Sequence, residues 1–215
     1  MSYKVAILVG SLRADSLNRK IAEHLMHMGH PDLCMELVGI GDLPLYNEDL
    51  DGQAPYEWQA FRERIRASDA LLIVTPEYNR SVPGVLKNAI DVGSRPNGES
   101  VWDGKPAGVI TASPGAIGGF GANHHLRQMF VFLNIYAMQQ PECYLREAGD
   151  AFDQNGAALK DRTRTFLINF VEAYVRWIAR FIPPRAEQRG NSPFALSSIR
   201  PPGPEARAAT MPAAK

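Results

Sequence analysis

The chain has 215 residues, which suits one sizeable α/β domain and is short for two ordinary ones. Hydrophobic residues make up 45% and charged residues 21%, the balance of a globular protein and not of a disordered one. Lysine plus arginine equal aspartate plus glutamate at 23 each, so no overall field exists to hold a nucleic acid or an acidic membrane.

Val5 to Val9 is a continuous apolar run ending at Gly10, the signature of a central parallel strand covered on both faces. At five residues it is too short for a signal-peptide core or a membrane span, and a cytoplasmic location is expected. After the polar segment Ser11 to Ser16, apolar Leu17, Ile21, Leu25 and Met28 recur at helical spacing until Gly29 and Pro31 stop them. Cys34 to Val38 reads as a second strand, and residues 39–55 as a loop punctuated by Pro, Gly, Asp and Asn. Tyr56 to Ala67 reads as a helix. Asp69 to Thr75 repeats the buried-strand pattern and runs into Pro76, which marks a turn.

Ser81 and Pro83 can open a helix from Gly84 to Val92. Lys105 to Ser113 reads as a fourth strand that ends in a glycine-rich stretch, followed by a helix over Ala122 to Leu133. A fifth strand is expected within Ile135 to Gln140. The last helix, Leu159 to Phe181, carries Leu167, Val171, Tyr174 and Ile178 on one face. Repeated β then α implies a parallel sheet with right-handed crossovers, because parallel strands need long connections. The expected fold is α/β: a flavodoxin-like three-layer sandwich with a five-stranded parallel sheet and helices on both faces. It occupies residues 1–182. Residues 183–215, rich in Pro, Ala and Arg, read as a tail that is disordered or packed on a partner subunit.

In open α/β sheets, ligands bind outside the carboxyl ends of the strands near the topological switch point. Three loops lie at that edge. The first, Gly10-Ser11-Leu12-Arg13-Ala14-Asp15-Ser16-Leu17-Asn18-Arg19, offers hydroxyls, a guanidinium, an amide and the free N–H groups of a helix start. It lacks the Gly-Lys-Ser/Thr of a Walker A loop and the spacing of a Rossmann pyrophosphate loop, so a single terminal phosphate fits it better. Taken alone it is equally an ordinary βα connection with Ser16 as helix N-cap. The second, Thr75-Pro76-Glu77-Tyr78-Asn79-Arg80-Ser81-Val82-Pro83, puts an aromatic and several backbone amides where a planar ring can rest. An isolated tyrosine there would more simply plug a helix. The third has glycines at 115, 118, 119 and 121, which permit close backbone approach; by itself it is a flexible connector. Together, an anion loop, an aromatic loop and a glycine loop fit a phosphorylated chain carrying a flat ring. FMN has that shape.

The segments G-S-L-R-A-D-S-L-N-R, P-E-Y-N-R-S-V-P-G-V-L-K-N-A-I-D and S-P-G-A-I-G-G-F-G resemble the NADPH-dependent FMN reductase family, which includes quinone, chromate and azo-dye reductases. The resemblance spans about Tyr3 to Phe181. It implies that Ser11, Arg13, Ser16, Asn18 and the backbone N–H of Leu17 hold the FMN phosphate. It also implies that Pro76, Glu77, Tyr78 and Asn79 border the isoalloxazine, and that Ser113 and Gly115 close against the ring and ribityl chain. Hydride would come from NADPH or NADH and leave to a small-molecule acceptor such as a quinone, with no side chain needed as acid or base. A homodimer or homotetramer is expected from the same likeness. Many members carry Trp after the A-I-D segment, where this chain has Val92-Gly93, which implies a different acceptor side. The rival reading is a flavodoxin-type electron carrier with protein partners.

Other conspicuous residues read plainly. His24, His27 and His30 recur every third residue, but no carboxylate or cysteine completes an evident metal site. His124 and His125 point apart if helical. Arg62, Arg64 and Arg66 read as a solvated face, and Cys34 and Cys143 as buried thiols. Neither a nucleophile elbow nor a phosphatase cysteine loop is present, which excludes the common hydrolase signatures.

Overall fold

The computed structural model describes residues 2–153 and 159–183. In chain order they form β1 (Tyr3–Val9), α1 (Leu17–Met28), β2 (Leu33–Leu37), α2 (Tyr56–Arg66), β3 (Ala70–Thr75) and α3 (Gly84–Gly93). These are followed by β4 (Pro106–Ala112), α4 (Phe120–Phe132), β5 (Tyr136–Ala137), β6 (Cys143–Leu145) and α5 (Asp161–Phe181). Two short 3-10 turns, Glu48–Gln53 and Ala148–Ala151, interrupt the loops. The sheet order is β2-β1-β3-β4-β5 with β6 also on β4, and every pairing is parallel. This is the flavodoxin-like doubly wound order, and its switch point lies between β1 and β3. Residues 184–215, nearly all of the expected tail, lie outside the described residues.

The sequence builds this sheet through uninterrupted apolar strands. Every residue of β3 and β4 is buried, as a strand covered on both faces requires. Alternate side chains then feed two cores. Val5, Ile7, Val9, Leu72 and Val74 pack against Ile21 and Leu25 of α1 and Leu167, Phe170 and Tyr174 of α5. Ala6, Leu8, Leu71 and Ile73 pack on the other face with Trp58, Leu86, Leu126 and Phe130 of α2, α3 and α4. The four α5 residues singled out by periodicity are all buried. The Tyr174 hydroxyl, fully buried in the first core, donates to the Leu71 carbonyl, and burial pushes its ionisation well up.

The fifth strand is in two pieces where one was expected. β5 pairs with Pro106 and Ala107, and β6 pairs with Ile110 to Ala112. Between them Pro141, which has no N–H, cannot join the ladder, so the chain leaves the edge and returns. The second piece was not expected from the sequence and proves important for the site.

Three side-chain readings change. Arg62 is buried, not solvated: its Nε donates to the Val92 carbonyl at 2.8 Å, its head lies 3.6 Å from Asp51, and it sits over the Trp58 ring. A long side chain on the inner side of α2 is held by one carbonyl and one carboxylate, which offsets its burial. Val92 and Gly93 lie at the end of α3 remote from the strand carboxyl ends. There Trp102 covers Gly93 so closely that a Cβ would fall 2.4 Å from its indole, while its Nε1 donates to Ile90. The departure at that position is therefore a packing feature. Cys34 is exposed on the edge strand β2, whereas Cys143 is buried and its thiol is pushed up by desolvation. A thiol reagent should accordingly titrate one cysteine quickly in the native protein and the second only after unfolding; two equally fast thiols would contradict the burial of Cys143.

His30 joins the entry of β2 to α5, accepting from the Asp32 N–H at 3.1 Å and lying 3.3 Å from Glu172. Among the described residues no three His, Cys, Asp or Glu side chains converge as a metal set, and no helix is long and apolar enough to cross a membrane.

Candidate cofactor site at the carboxyl edge of the sheet

Parallel pairing places the carboxyl ends of β1, β3 and β4 side by side, so the three candidate loops emerge at one edge. Each loop is also tied to the other two. At the start of loop one the Gly10 N–H donates to Val74 at 3.0 Å, and a Cβ there would fall 2.1 Å from Thr75 Oγ1. Only glycine lets β1 approach β3 this closely. Asn18, in the first turn of α1, donates its Nδ2 to the Ala112 carbonyl at 3.3 Å, joining loop one to the end of β4. Glu77 of loop two accepts from the Ala122 N–H at 3.2 Å, joining loop two to the helix that follows loop three.

Loop one ends in the N-terminus of α1. Ser16 is the N-cap: its buried hydroxyl oxygen accepts from the Arg19 N–H at 3.2 Å, and Lys20 bonds back to the Ser16 carbonyl. The N–H groups of Leu17 and Asn18 are then left without an intrahelical partner, and the first turn carries no acidic residue. Positive helix-end potential, two free N–H groups and the hydroxyl hydrogens of Ser11 and Ser16 favour an anion. Arg13 is exposed and has no ion-pair partner among the described residues. Asp15, also exposed, is the one carboxylate within the loop. The Asn18 amide has spent one N–H on Ala112 and keeps its Oδ1 buried without a hydrogen-bond partner. That orphaned acceptor suits a hydroxyl of a polyol chain better than a phosphate oxygen, because it requires a donor.

Loop two is a tight hairpin. Tyr78 and Ser81 exchange both backbone hydrogen bonds at 2.9 Å across Asn79 and Arg80, whose φ values are 52° and 66°. Two successive left-handed residues make a primed turn, natural for Asn79 and less so for Arg80. The turn leaves Tyr78 46% exposed, so its ring is not plugging the helix and is open for stacking. Glu77 is different: its side chain is only 11% exposed and lies 3.6 Å from Arg80. One of its carboxylate oxygens is taken by the Ala122 N–H, which ties the side chain to the protein at the edge of the loop.

Loop three owes most of its glycines to the protein itself. Gly118 and Gly119 have φ of 64° and 82°. A Cβ on Gly118 would fall 3.1 Å from the Arg146 backbone, one on Gly119 would fall 2.7 Å from Thr111 Cβ, and one on Gly121 would fall 2.8 Å from the Arg80 carbonyl. Gly115, by contrast, is exposed, and a Cβ there would meet only Ser113 Oγ, at 3.6 Å. Ser113 Oγ accepts from the Gly115 N–H, while its backbone bonds Leu145 and Ala148 and the Gly115 carbonyl takes the Glu147 N–H. The segment after β6 thus braces loop three. That brace, the Glu77 contact and the His125 Nδ1 to Ser81 Oγ contact at 2.8 Å were not found from sequence, since each joins residues 30 or more positions apart.

An anion-ready helix start, a buried acceptor for a hydroxyl, an exposed aromatic turn and an open glycine all stand at the carboxyl edge of the sheet. Residues 3–150 match the NADPH-dependent FMN reductase family. A quinone reductase of Pseudomonas putida is 58% identical over 177 residues, covering 82% of this chain and 95% of the relative. A 2-hydroxy-1,4-benzoquinone reductase of Burkholderia sp is 47% identical over 178 residues, covering 83% and 97%. The solved structure of FerB, a flavoenzyme NAD(P)H:(acceptor) oxidoreductase from Paracoccus denitrificans, superposes with a TM-score of 0.78 at 44% identity, covering 83% of this chain and 98% of that one. The chain belongs to the NADPH-dependent FMN reductase family.

Proposed function

We propose that the chain is an FMN-dependent oxidoreductase that takes hydride from NADPH or NADH and reduces a small acceptor of the quinone class. The observation that carries this reading is the anion-ready start of α1 beside the exposed aromatic turn, on either side of the β1/β3 switch point. The names of the Pseudomonas and Burkholderia relatives support the acceptor class.

In this reading Ser11, Arg13, Ser16 and the N–H groups of Leu17 and Asn18 hold the phosphate. Asn18 Oδ1 takes a ribityl hydroxyl. Pro76, Glu77 through its backbone, Tyr78 and Asn79 border one edge of the ring, and Ser113 and Gly115 close over the other. When bound, FMN supplies the redox chemistry, exchanging two electrons between nicotinamide and acceptor. The protein's own part is to fix the ring against two rigid loops and to leave a space that two flat substrates occupy in turn. No side chain of the three loops is required as acid or base. The exposed apolar pair Val131 and Phe132, 84% and 90% accessible on α4, supports assembly with a second copy as a homodimer or homotetramer.

The test is one anaerobic absorbance experiment. The protein should purify yellow or take up equimolar FMN, NADPH or NADH should bleach the visible band without intermediate colour, and benzoquinone should restore it. Steady-state kinetics should be ping-pong, because donor and acceptor use the same space. Uptake of FMN that dithionite bleaches but neither nucleotide does would replace this reading with the electron-carrier one.

A further inference from the structure

We infer that Glu77 is a positioning residue for the reaction: its partly buried carboxylate clamps the Tyr78–Ser81 turn onto the N-terminus of α4 and so fixes the face that loop two presents to the ring. This rests on the functional reading above and extends it to a residue whose side chain would otherwise be counted among the ring contacts.

α4 begins without a cap of its own. Its N-cap residue is Gly119, in the left-handed region and with no side chain to accept a hydrogen bond. The N–H that an N-cap side chain would serve, that of Ala122, is instead served by Glu77 Oε2 at 3.2 Å from 45 residues away. A carboxylate at a helix N-terminus is favoured by the helix dipole as well as by the bond. The other carboxylate oxygen lies 3.6 Å from the guanidinium of Arg80, which is 75% exposed, so that contact is weak. The fit around the clamp is tight: at Gly121 a Cβ would fall 2.8 Å from the Arg80 carbonyl and 3.0 Å from Glu77 Oε2. One turn further on, His125 Nδ1 meets Ser81 Oγ at 2.8 Å and pins the other end of the hairpin. The turn carries two consecutive non-glycine residues at positive φ, which cost backbone energy and need surrounding structure to hold them. α4 is that structure. Since α4 also follows loop three, one carboxylate sets the separation of the two loops that flank the ring.

The test compares Glu77→Ala, Glu77→Gln and Gly121→Ala with the wild-type protein. Removing the carboxylate should speed amide exchange of the FMN-free protein at residues 78–81 and 120–122 together, by about tenfold, the size of a lost helix cap. In the FMN-loaded protein it should change the visible circular dichroism and slow the limiting rate of bleaching by NADPH by about tenfold. The ratio of FMN to riboflavin affinity, which reports the phosphate loop, should stay within about twofold of wild type. Glu77→Gln, whose amide oxygen can still accept from Ala122, should recover most of each change. Gly121→Ala, which keeps the carboxylate in the chain but wedges both it and the Arg80 carbonyl away from α4, should reproduce the alanine pattern. Faster exchange confined to residues 120–122, with dichroism and bleaching as in wild type, would make Glu77 a helix cap only and overturn the inference. Glu77→Gln behaving like Glu77→Ala would overturn it as well. A wild-type protein that takes up no FMN would instead overturn the functional reading, and the exchange measurement, made without FMN, separates that failure from loss of the clamp.

Discussion

Gly119→Ala should destabilise the protein by about 2–4 kcal/mol, the sum of the penalty for a side chain in the left-handed region and the cost of overpacking. The residue sits at φ 82° with Thr111 Cβ only 2.7 Å from where its own Cβ would be, and Thr111 is fully buried within β4. Neither side can yield: the strand is held by β3 on one edge and β6 on the other, and α4 starts at the next residue. Gly115→Ala is the matched control, because its φ is not positive and its Cβ would meet nothing closer than Ser113 Oγ at 3.6 Å. That variant should stay within about 0.5 kcal/mol of wild type, as surface substitutions usually do. Urea unfolding of the FMN-free proteins checks both; equal midpoints for the two variants would show that loop three relaxes around Gly119.

The contrast between these two glycines shows what a sequence can and cannot carry. The glycine-rich run announced a special loop, because four glycines within seven residues have few uses other than unusual backbone or close approach. It did not announce which glycines serve the fold, since the contacts that require them are made by Thr111 in the preceding strand and by Arg146 and Arg80 from elsewhere in the chain. The strands were legible for a complementary reason. β1, β3 and β4 are buried on both faces, so nearly every residue in them is apolar, and no tertiary partner is needed to see it. β6 has three residues and one fully buried position, Cys143, which is too little pattern to separate from a loop. Arg62 and Cys34 were misread in opposite directions by the same shortcut, residue type standing for burial. An arginine with a carbonyl and a carboxylate within reach can be buried, and a cysteine on an edge strand can face outward. In the candidate site the loops were legible and the ties between them were not. The Glu77 to Ala122 bond spans 45 residues and the Asn18 to Ala112 bond spans 94, and only the sheet order makes either of them near neighbours.

Arg13→Ala should weaken FMN far more than riboflavin. The guanidinium stands in loop one, exposed, with no ion-pair partner among the described residues, next to a helix start whose first turn has no carboxylate. A charge-assisted contact to a phosphate contributes about 1.5–3 kcal/mol, so the FMN dissociation constant should rise roughly tenfold to a hundredfold. Riboflavin has no phosphate and should lose about twofold or less, within the range of an ordinary surface change. Because the side chain is exposed, the difference should shrink as salt rises from about 0.05 to 0.5 M, while binding of riboflavin to either protein should be insensitive to salt. Arg13→Lys keeps the charge but not the planar fork, and its FMN affinity should fall between the two. Fluorescence titration of both ligands into FMN-free protein measures all of these. Equal weakening of FMN and riboflavin would remove Arg13 from the phosphate site and leave the helix N–H groups and the serine hydroxyls as its only donors.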